Sequence, residues 1–590
     1  MSLRYPRSNY DLFPVARLDC GHQVWKGSSI WREIADQAFS QTADPVVAVD
    51  LYPGADLPAI RDQLRAVLPD WTVIDVEETA AKDPVTLQSM IQSFLTDDRV
   101  FGRIAQFPLP DFYDEQRLSQ LRKTLAKPQN ATIALGWGAT AFAPDATVSV
   151  LVEVSRWELE SRQRAGGTNW RASNQGEDAL RKFKRGFFVE WRTADAHKRP
   201  LLAKADFVID ANGQPDEFQG ITGECFREAL AALVSRPFRV VPVFDPGVWG
   251  GQWMRDTFGL DPDVENFAWC FDCILEENSV RVEIDGQVLE FPAMDIVYAR
   301  PKDLLGEITY ARFGADFPIR TDFLDTMGGG NLSLQVHPLT EYMWANFGLR
   351  YTQDESYYLL QAEPDATCYL GFKEGVDPEA LERDLRAAER GEVDFPAERY
   401  VNVFPAKAHD HFQIPAGTIH CSGRNAMVLE ISATPYIFTF KMWDWGRTGL
   451  DGQPRPVHLE HALANLQYER DTAWTVENLV NQTKTLAQGD GWTEERTGLN
   501  ELEFIEVRRH KFTGPVAHDT HGTVNVVNLV AGSSAIVESQ TGAFAPFTVH
   551  YAETFIIPAA VGSYTIRPGL DAEGELMTVK VYVRGTERTS

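Results

Sequence analysis

Cysteine is scarce in this 590-residue chain. Six residues (Cys20, Cys225, Cys270, Cys273, Cys368 and Cys421) are scattered along it. Only Cys270-Phe-Asp-Cys273 forms a CxxC pair, and no second pair accompanies it. That excludes a disulfide scaffold and a four-cysteine zinc site, and fits reduced thiols in a cytoplasmic protein. Long apolar runs are also missing. No stretch reaches the ~18 apolar residues of a membrane span. The opening Met-Ser-Leu-Arg-Tyr-Pro-Arg has no apolar signal core, so a soluble protein is expected. Positive charge is in deficit: 56 Lys and Arg face 84 Asp and Glu, for a net charge of −28. This argues against nucleic acid and anionic membranes as partners. A phosphorylated substrate would have to be met by a local cluster of Lys and Arg. Low-complexity linkers are absent too.

Hydrophobic residues make up 44% of the chain and 15 are Trp, which indicates well-packed globular structure rather than disorder. The length exceeds what one core supports, so about two to four domains are expected. Residues 1–240 alternate strand and helix patterns. Val46 to Leu51, Trp71 to Val76, Ala131 to Leu135 and Val148 to Val154 read as strands. Leu57 to Leu68, Pro84 to Leu95 and Asp114 to Leu125 read as helices. That alternation predicts a parallel sheet covered by helices. From Phe238 onward, β-branched and aromatic runs with Gly and Pro punctuation predict a barrel or sandwich. Asp377 to Arg390 and Val457 to Gln488 read as helical additions. Residues 500–585 return to short strands.

The most informative stretch is Asn331-Leu-Ser-Leu-Gln-Val-His-Pro338, taken with Glu355 and Pro415-Ala-Gly-Thr-Ile-His420. Gln335 and His337 are two apart, so on a strand they share a face. Glu355 opens a second apolar run. His420 closes a Pro-x-Gly-x-x-His turn that can aim one imidazole inward. An amide oxygen, two imidazoles and a carboxylate suit one divalent ion, zinc above all, with a coordination position left for substrate. His409 and His411, two apart in Ala408-His-Asp-His-Phe412, form an alternative pair, on a segment that reads as an exposed turn. Lys182-Phe-Lys-Arg185 reads as a solvated basic helix face, with a phosphate contact as the sharper alternative.

The wording of residues 240–500 resembles the cupin-type mannose-6-phosphate isomerases. "LSLQVHP", "GFKEGV", "PAGTIH", "LEIS" and "WDWGRTGLDGQPRPVHLEHAL" occur in the family's order. The resemblance implies a cupin β-barrel whose ion is held by Gln335, His337, Glu355 and His420. It implies Arg447 as the active-site guanidinium, with Lys441 and Lys373 as substrate-binding candidates. One motif departs: in Phe317-Pro-Ile-Arg-Thr-Asp-Phe-Leu-Asp325, Asp322 stands where the family has Lys. Arg320, on the same strand face, could replace that cation, and Asp322 could serve as the proton-transfer base or pair with Arg320.

Residues 1–240 resemble a P-loop nucleoside kinase whose loop, Leu51-Tyr-Pro-Gly-Ala-Asp56, lacks GxxxxGK[ST]. Arg156, Arg162 and Arg164 resemble the basic end of a kinase lid. Phe547 to Arg567 resembles a second cupin strand pair with Ser563-Tyr564-Thr565 at the ligand position. The expected architecture is therefore multidomain α/β plus all-β. Residues 1–240 form a degenerate kinase-like domain, 241–500 a metal-binding isomerase barrel, and 501–590 a cupin-like module without metal ligands. The expected activity is interconversion of mannose 6-phosphate and fructose 6-phosphate. A non-catalytic sugar-phosphate sensor and a bifunctional isomerase/kinase are the alternatives, and oligomeric state is left open.

Overall fold

The computed structural model describes residues 7–18, 21–433, 438–452, 455–498 and 501–585. Cys20 lies outside the described residues. The chain folds into two compact units that are not consecutive in sequence. One takes Val15–Leu233 and Ser279–Arg300; the other takes Met1–Pro14, Val234–Asn278 and Pro301–Ser590. Residues 279–300, expected in the isomerase block, therefore belong to the α/β unit. Ser279–Ile284 and Gln287–Pro292 form an antiparallel pair, and Val15–Leu18 joins it as a parallel strand. Local pattern shows such a hairpin but not which sheet or unit it completes, which is why the consecutive blocks 1–240 and 241–500 do not describe the packing.

The first unit is built on Val46–Leu51 (β1), Thr72–Asp75 (β2), Thr132–Gly136 (β3), Val148–Glu153 (β4) and Phe207–Asp210 (β5). They run parallel in the order β2-β3-β1-β4-β5, and two antiparallel strands, Gln219–Thr222 and Trp25–Lys26, extend the β5 edge. All six residues of β1 are buried, as expected for a parallel strand covered on both faces. The loop after β1 is closed. Tyr52 is buried and donates to Asp195 Oδ1 at 2.7 Å. Gly54 has φ 102°, and a Cβ there would meet Leu159 Cδ2 at 2.6 Å. Asp56 caps the Leu57–Val67 helix by accepting from Ala59 N at 3.0 Å, so the helix start already holds its own anion.

The basic residues of this unit are mostly engaged internally. Arg156 lies 3.7 Å over the Trp191 ring and 3.9 Å from Asp195. Arg162 pairs with Glu158 at 2.8 Å, and Arg164 with Glu160 at 3.6 Å. The solvated reading of Lys182-Phe-Lys-Arg185 is overturned: Lys182, Lys184 and Arg185 are all buried. Lys182 Nζ donates to the carbonyls of Gln163 (3.1 Å), Gly167 (2.9 Å) and Gln175 (2.9 Å), which staples the 163–175 loop to the Ala179–Arg185 helix. Three carbonyl acceptors offset the desolvation of one ammonium.

The second unit holds two pairs of antiparallel sheets. In the first pair, one sheet contains Val243–Asp245 (β6), Trp269–Cys273 (β7), Arg320–Asp325 (β8), Glu355–Ala362 (β10), His411–Ile414 (β13) and Ala426–Ser432 (β15), in the order β13-β10-β15-β8-β7-β6. The other contains Leu334–Val336 (β9), Thr367–Phe372 (β11), Val401–Pro405 (β12), His420–Ser422 (β14) and Phe440–Trp443 (β16), in the order β12-β11-β14-β9-β16. The β-rich region expected from Phe238 onward has its first regular strand at β6. Cys270 and Cys273 are buried free thiols on β7.

In the second pair, a six-stranded and a four-stranded sheet enclose Phe512, Val527, Leu529, Phe555 and Leu576 from one side, and Val516, Val537, Val549, Tyr564 and Ile566 from the other. Burying each such side chain contributes about 1.5–3 kcal/mol, which makes this core the main support of residues 505–583. Tyr564 stacks on His518 with ring centroids 5.1 Å apart. The expected helix over 457–488 is only two short helices, Leu459–Leu463 and Thr472–Asn478. Lys484–Gly489 instead forms a strand paired to Trp492–Gly498. Its Thr and Gln side chains stand on an edge strand where sheet hydrogen bonds outweigh helix propensity. Among the described residues no helix is long and apolar enough to cross a membrane.

Candidate metal centre

Strand register brings the chemistry together. In the first sheet Arg320, Ser432 and Glu355 stand opposite one another on β8, β15 and β10. One pleat along, Asp322, Glu430 and Tyr357 do the same. Directly opposed residues share a face, so both rows line one surface. In the second sheet Gln335 is opposite His420 on β14 and Lys441 on β16. His337 follows Gln335 by two and shares its face. The turn before β14 needs its glycine: Gly417 has φ 87°, and a Cβ would meet Asn465 O at 2.9 Å. Gly417 N also donates to His337 O at 2.9 Å, tying the turn to the ligand strand.

The two sheets meet at one cluster. His337 Nε2 lies 2.9 Å from Glu355 Oε2, and His420 Nε2 lies 2.8 Å from Glu355 Oε1, with all three side chains fully buried. Gln335 Nε2 is 3.2 Å from His420 Nε2; turning the amide over would present its oxygen instead. Among the described residues, His337, Glu355 and His420 are the group whose ligand atoms lie within 4.8 Å of one another.

The donor set fits a cation. His337 Nδ1 is 2.8 Å from Phe438 O, and His420 Nδ1 is 2.8 Å from Thr418 O. A carbonyl only accepts, so each Nδ1 carries the proton, and in the neutral imidazoles each Nε2 presents a lone pair. Those lone pairs converge on carboxylate oxygens. The approach is close but not aligned for hydrogen bonding at His337 Nε2 and Glu355 Oε1, which are buried without a hydrogen-bond partner. Burial alone would raise the Glu355 carboxyl; positive charge at the imidazoles, as when His337 and His420 are protonated, pulls it well below the usual carboxylate range. Gln353 Nε2 donates to Glu355 Oε2 at 2.8 Å and orients it.

The surrounding interior is polar and under-satisfied. Asp322 is pushed up to about 7 by burial, with Arg320 opposing the shift and Glu355 adding to it. Glu430 is raised well above the ordinary range by burial, then by Asp322 and Glu355. Two facing carboxyls of this kind retain a proton between them. Arg320 Nε and Nη1, Tyr357 Oη and both amide atoms of Gln413 are buried without hydrogen-bond partners.

The other expected residues are placed as follows. Lys441 is half-buried on the Gln335 face. Lys373 is exposed and donates to the Glu398 carbonyl, outside the converging set. Arg447 donates to Asn331 O at 2.7 Å and to Asp444 O at 3.1 Å, and pairs with the Asp444 carboxylate. Arg455 pairs with that same carboxylate, so two guanidinium groups share one negative charge. His411 corrects the exposed-turn expectation. It is buried on β13, with Nδ1 3.1 Å from Thr497 Oγ1 and burial holding its pKa down at about 3. Only His409, at φ 69°, sits in the turn, 3.1 Å from Tyr358 Oη. Glu430, Gln353 and Arg455 went unassigned in the sequence. Glu430 had a signal, as the lone carboxylate in the apolar run Ala426–Ser432.

Comparison with known proteins places this cluster in context. A family model described as "Domain of unknown function (DUF8485)" matches residues 28–235. A Streptococcus mutans protein named mannose-6-phosphate isomerase is 26% identical over 317 residues, covering 54% of this chain and 90% of that protein. The chain is similar to proteins named mannose-6-phosphate isomerase. ManA of Bacillus subtilis, also so named, is 27% identical over 231 residues, 39% of this chain and 68% of that one. The crystal structure of a Bacillus subtilis mannose 6-phosphate isomerase superposes with a TM-score of 0.47 at 18% identity, over 59% of this chain and all of that one.

Proposed function

We propose that this chain is a zinc-dependent aldose–ketose isomerase that interconverts mannose 6-phosphate and fructose 6-phosphate. The observation that carries the reading is the buried convergence of His337 Nε2 and His420 Nε2 on Glu355, both imidazoles oriented by backbone carbonyls. The names of the relatives supply the sugar phosphate. The paired sheets of residues 241–500 act as the cupin barrel of such an enzyme, and residues 501–590 as a cupin-like support.

Gln335, His337, Glu355 and His420 would hold the ion. Zinc, when bound, supplies Lewis acidity toward the sugar oxygens at C1 and C2. Asp322 accepts the proton from C2 of the open-chain sugar and returns it to C1, and Glu430 opposite holds the shared proton that tunes it. Arg320, on the same face, keeps Asp322 ionised during turnover. Lys441 meets the phosphate. Lys373 is engaged with a backbone carbonyl and is left out of this assignment. Arg447, with Arg455 supplying the excess positive charge, stabilises the oxyanion that grows as the proton leaves carbon.

Arg447→Lys keeps the charge but loses the planar fork. It is expected to lower kcat by about 100-fold, the cost of one oxyanion donor, with a smaller change in KM and full metal content. A rise in KM with kcat intact would make Arg447 a phosphate anchor instead. The isomerase reading itself is tested by incubating the protein with mannose 6-phosphate and following fructose 6-phosphate. Tight binding without turnover would favour the sensor alternative.

We further propose that the α/β unit is a kinase-like domain that transfers no phosphate. The support is the closed 51–56 loop, whose Gly54 packs on Leu159 and whose helix start is capped by Asp56. ATP with mannose or a nucleoside should give no phosphorylated product; a product that requires residues 15–233 would refute this.

A further inference from the structure

The α/β unit has a cleft of about 1320 Å³ that the isomerase reading does not use. One wall is the Pro84–Leu95 helix, which presents Gln88, Ser89, Gln92 and Ser93. The other is the 171–177 loop and the Ala179–Arg185 helix, which present Arg171, Arg181, Lys184 and Arg185. Glu177 is the one carboxylate in the lining. Four cations against one acid is a local inversion in a chain of net charge −28. We propose that this cleft binds the phosphate groups of a small phosphorylated molecule.

Arg185 and Lys184 are held in place, and Arg181 is left without an ion-pair partner among the described residues. Arg185 is fixed by Glu190 at 2.6 Å and reaches Gln88 at 3.2 Å, which joins the two walls. Lys184 is buried and has only the Asp98 carbonyl as a hydrogen-bond acceptor. Burial, then the nearby charge of Arg181, lowers its affinity for a proton, against a smaller opposing pull from Asp98, Glu177 and Asp97. Arg181 is exposed and has no ion-pair partner among the described residues. Arg171 Nε is buried without an acceptor, on a backbone with φ 51°. Such a backbone is costly for a side chain with a Cβ, and strain of this kind concentrates at ligand-holding positions. Lys182 stabilises that loop from below through its three carbonyls. Cations gathered on one wall of an open cleft, with amide and hydroxyl donors on the other, are an arrangement that a phosphate, with several acceptor oxygens, neutralises. Backbone amides at a phosphate loop are not required.

The test uses the full chain and inorganic pyrophosphate as the probe, followed by titration calorimetry and amide hydrogen exchange. Saturable binding is expected, with exchange slowed over residues 84–96 and 171–185. Arg181→Ser, an exposed position, and Arg171→Asn, which tolerates the left-handed backbone, should each weaken binding by about 10-fold. Isomerase turnover of both variants should be unchanged. Glu355→Gln should leave pyrophosphate binding intact, which separates this cleft from the metal centre. Displacement by mannose 6-phosphate would identify the ligand as a sugar phosphate, and displacement by ATP as a nucleotide. No saturable binding at ~1 mM pyrophosphate, a weak affinity for a multi-cation site, overturns the proposal. So does binding that neither substitution weakens.

Discussion

Replacing Glu355 by Gln should empty the metal centre and abolish turnover. The change keeps size and shape but removes the single negative charge that faces His337 and His420. A cation held by two neutral imidazoles, an amide oxygen and a carboxylate then loses its only anionic ligand. Loss of an outer-sphere partner already weakens metal binding by about 10–100-fold, so loss of this ligand should exceed that. His337→Ala should act alike, and a chelator should reproduce both effects in the unsubstituted protein. Metal content by mass spectrometry and the isomerase assay read the outcome. Full occupancy in both variants would place the ion elsewhere, with His409 and His411 the next pair to remove.

Asp322→Asn should leave the ion in place and remove the chemistry. Asn matches Asp in shape but cannot take a proton from carbon. General-base catalysis is worth about 10²–10⁴-fold, so kcat should fall by roughly 10³-fold with metal content unchanged. Glu430→Gln, which removes the facing carboxyl, should cost less, because it alters the tuning of the base and not the base itself. A kcat for Asp322→Asn within a few-fold of the parent would shift the role of base to Glu430. Equal losses in both variants would mean that the pair acts as one proton-sharing unit.

The candidate metal ligands were legible in the sequence because the proposed role depends on residue type and short spacing. Gln335 and His337 share a face whatever lies around them, and the Pro415–His420 turn carries its own geometry. Glu430 was not legible as a functional group. A glutamate on a strand gains its role from the strand beside it, and nothing local says that Asp322 will be its neighbour. His411 was not legible for a related reason: it adjoins the His409-Asp410 turn but already belongs to β13. Lys182 shows the limit of composition. A basic run is a solvated face unless the fold brings carbonyls to it, and here three are supplied by a loop up to 19 residues away in sequence. The parallel sheet followed from strand–helix alternation, and the separate β-rich region from its punctuation. The late strand Lys484–Gly489 was lost because its apolar pattern is weak at an exposed edge.

The interleaving of the two units sets an order on synthesis. When the ribosome has released residues 15–233, the α/β unit still lacks Ser279–Arg300, so Val15–Leu18 has no sheet partner until that hairpin emerges. The nascent chain must keep this edge from pairing elsewhere while 234–278, which belong to the other unit, pass through the exit tunnel. A nascent chain arrested near residue 240 should therefore be more open to protease around residues 15–18 than one from which the 279–292 hairpin has left the tunnel. No single cut in the gene yields both units whole.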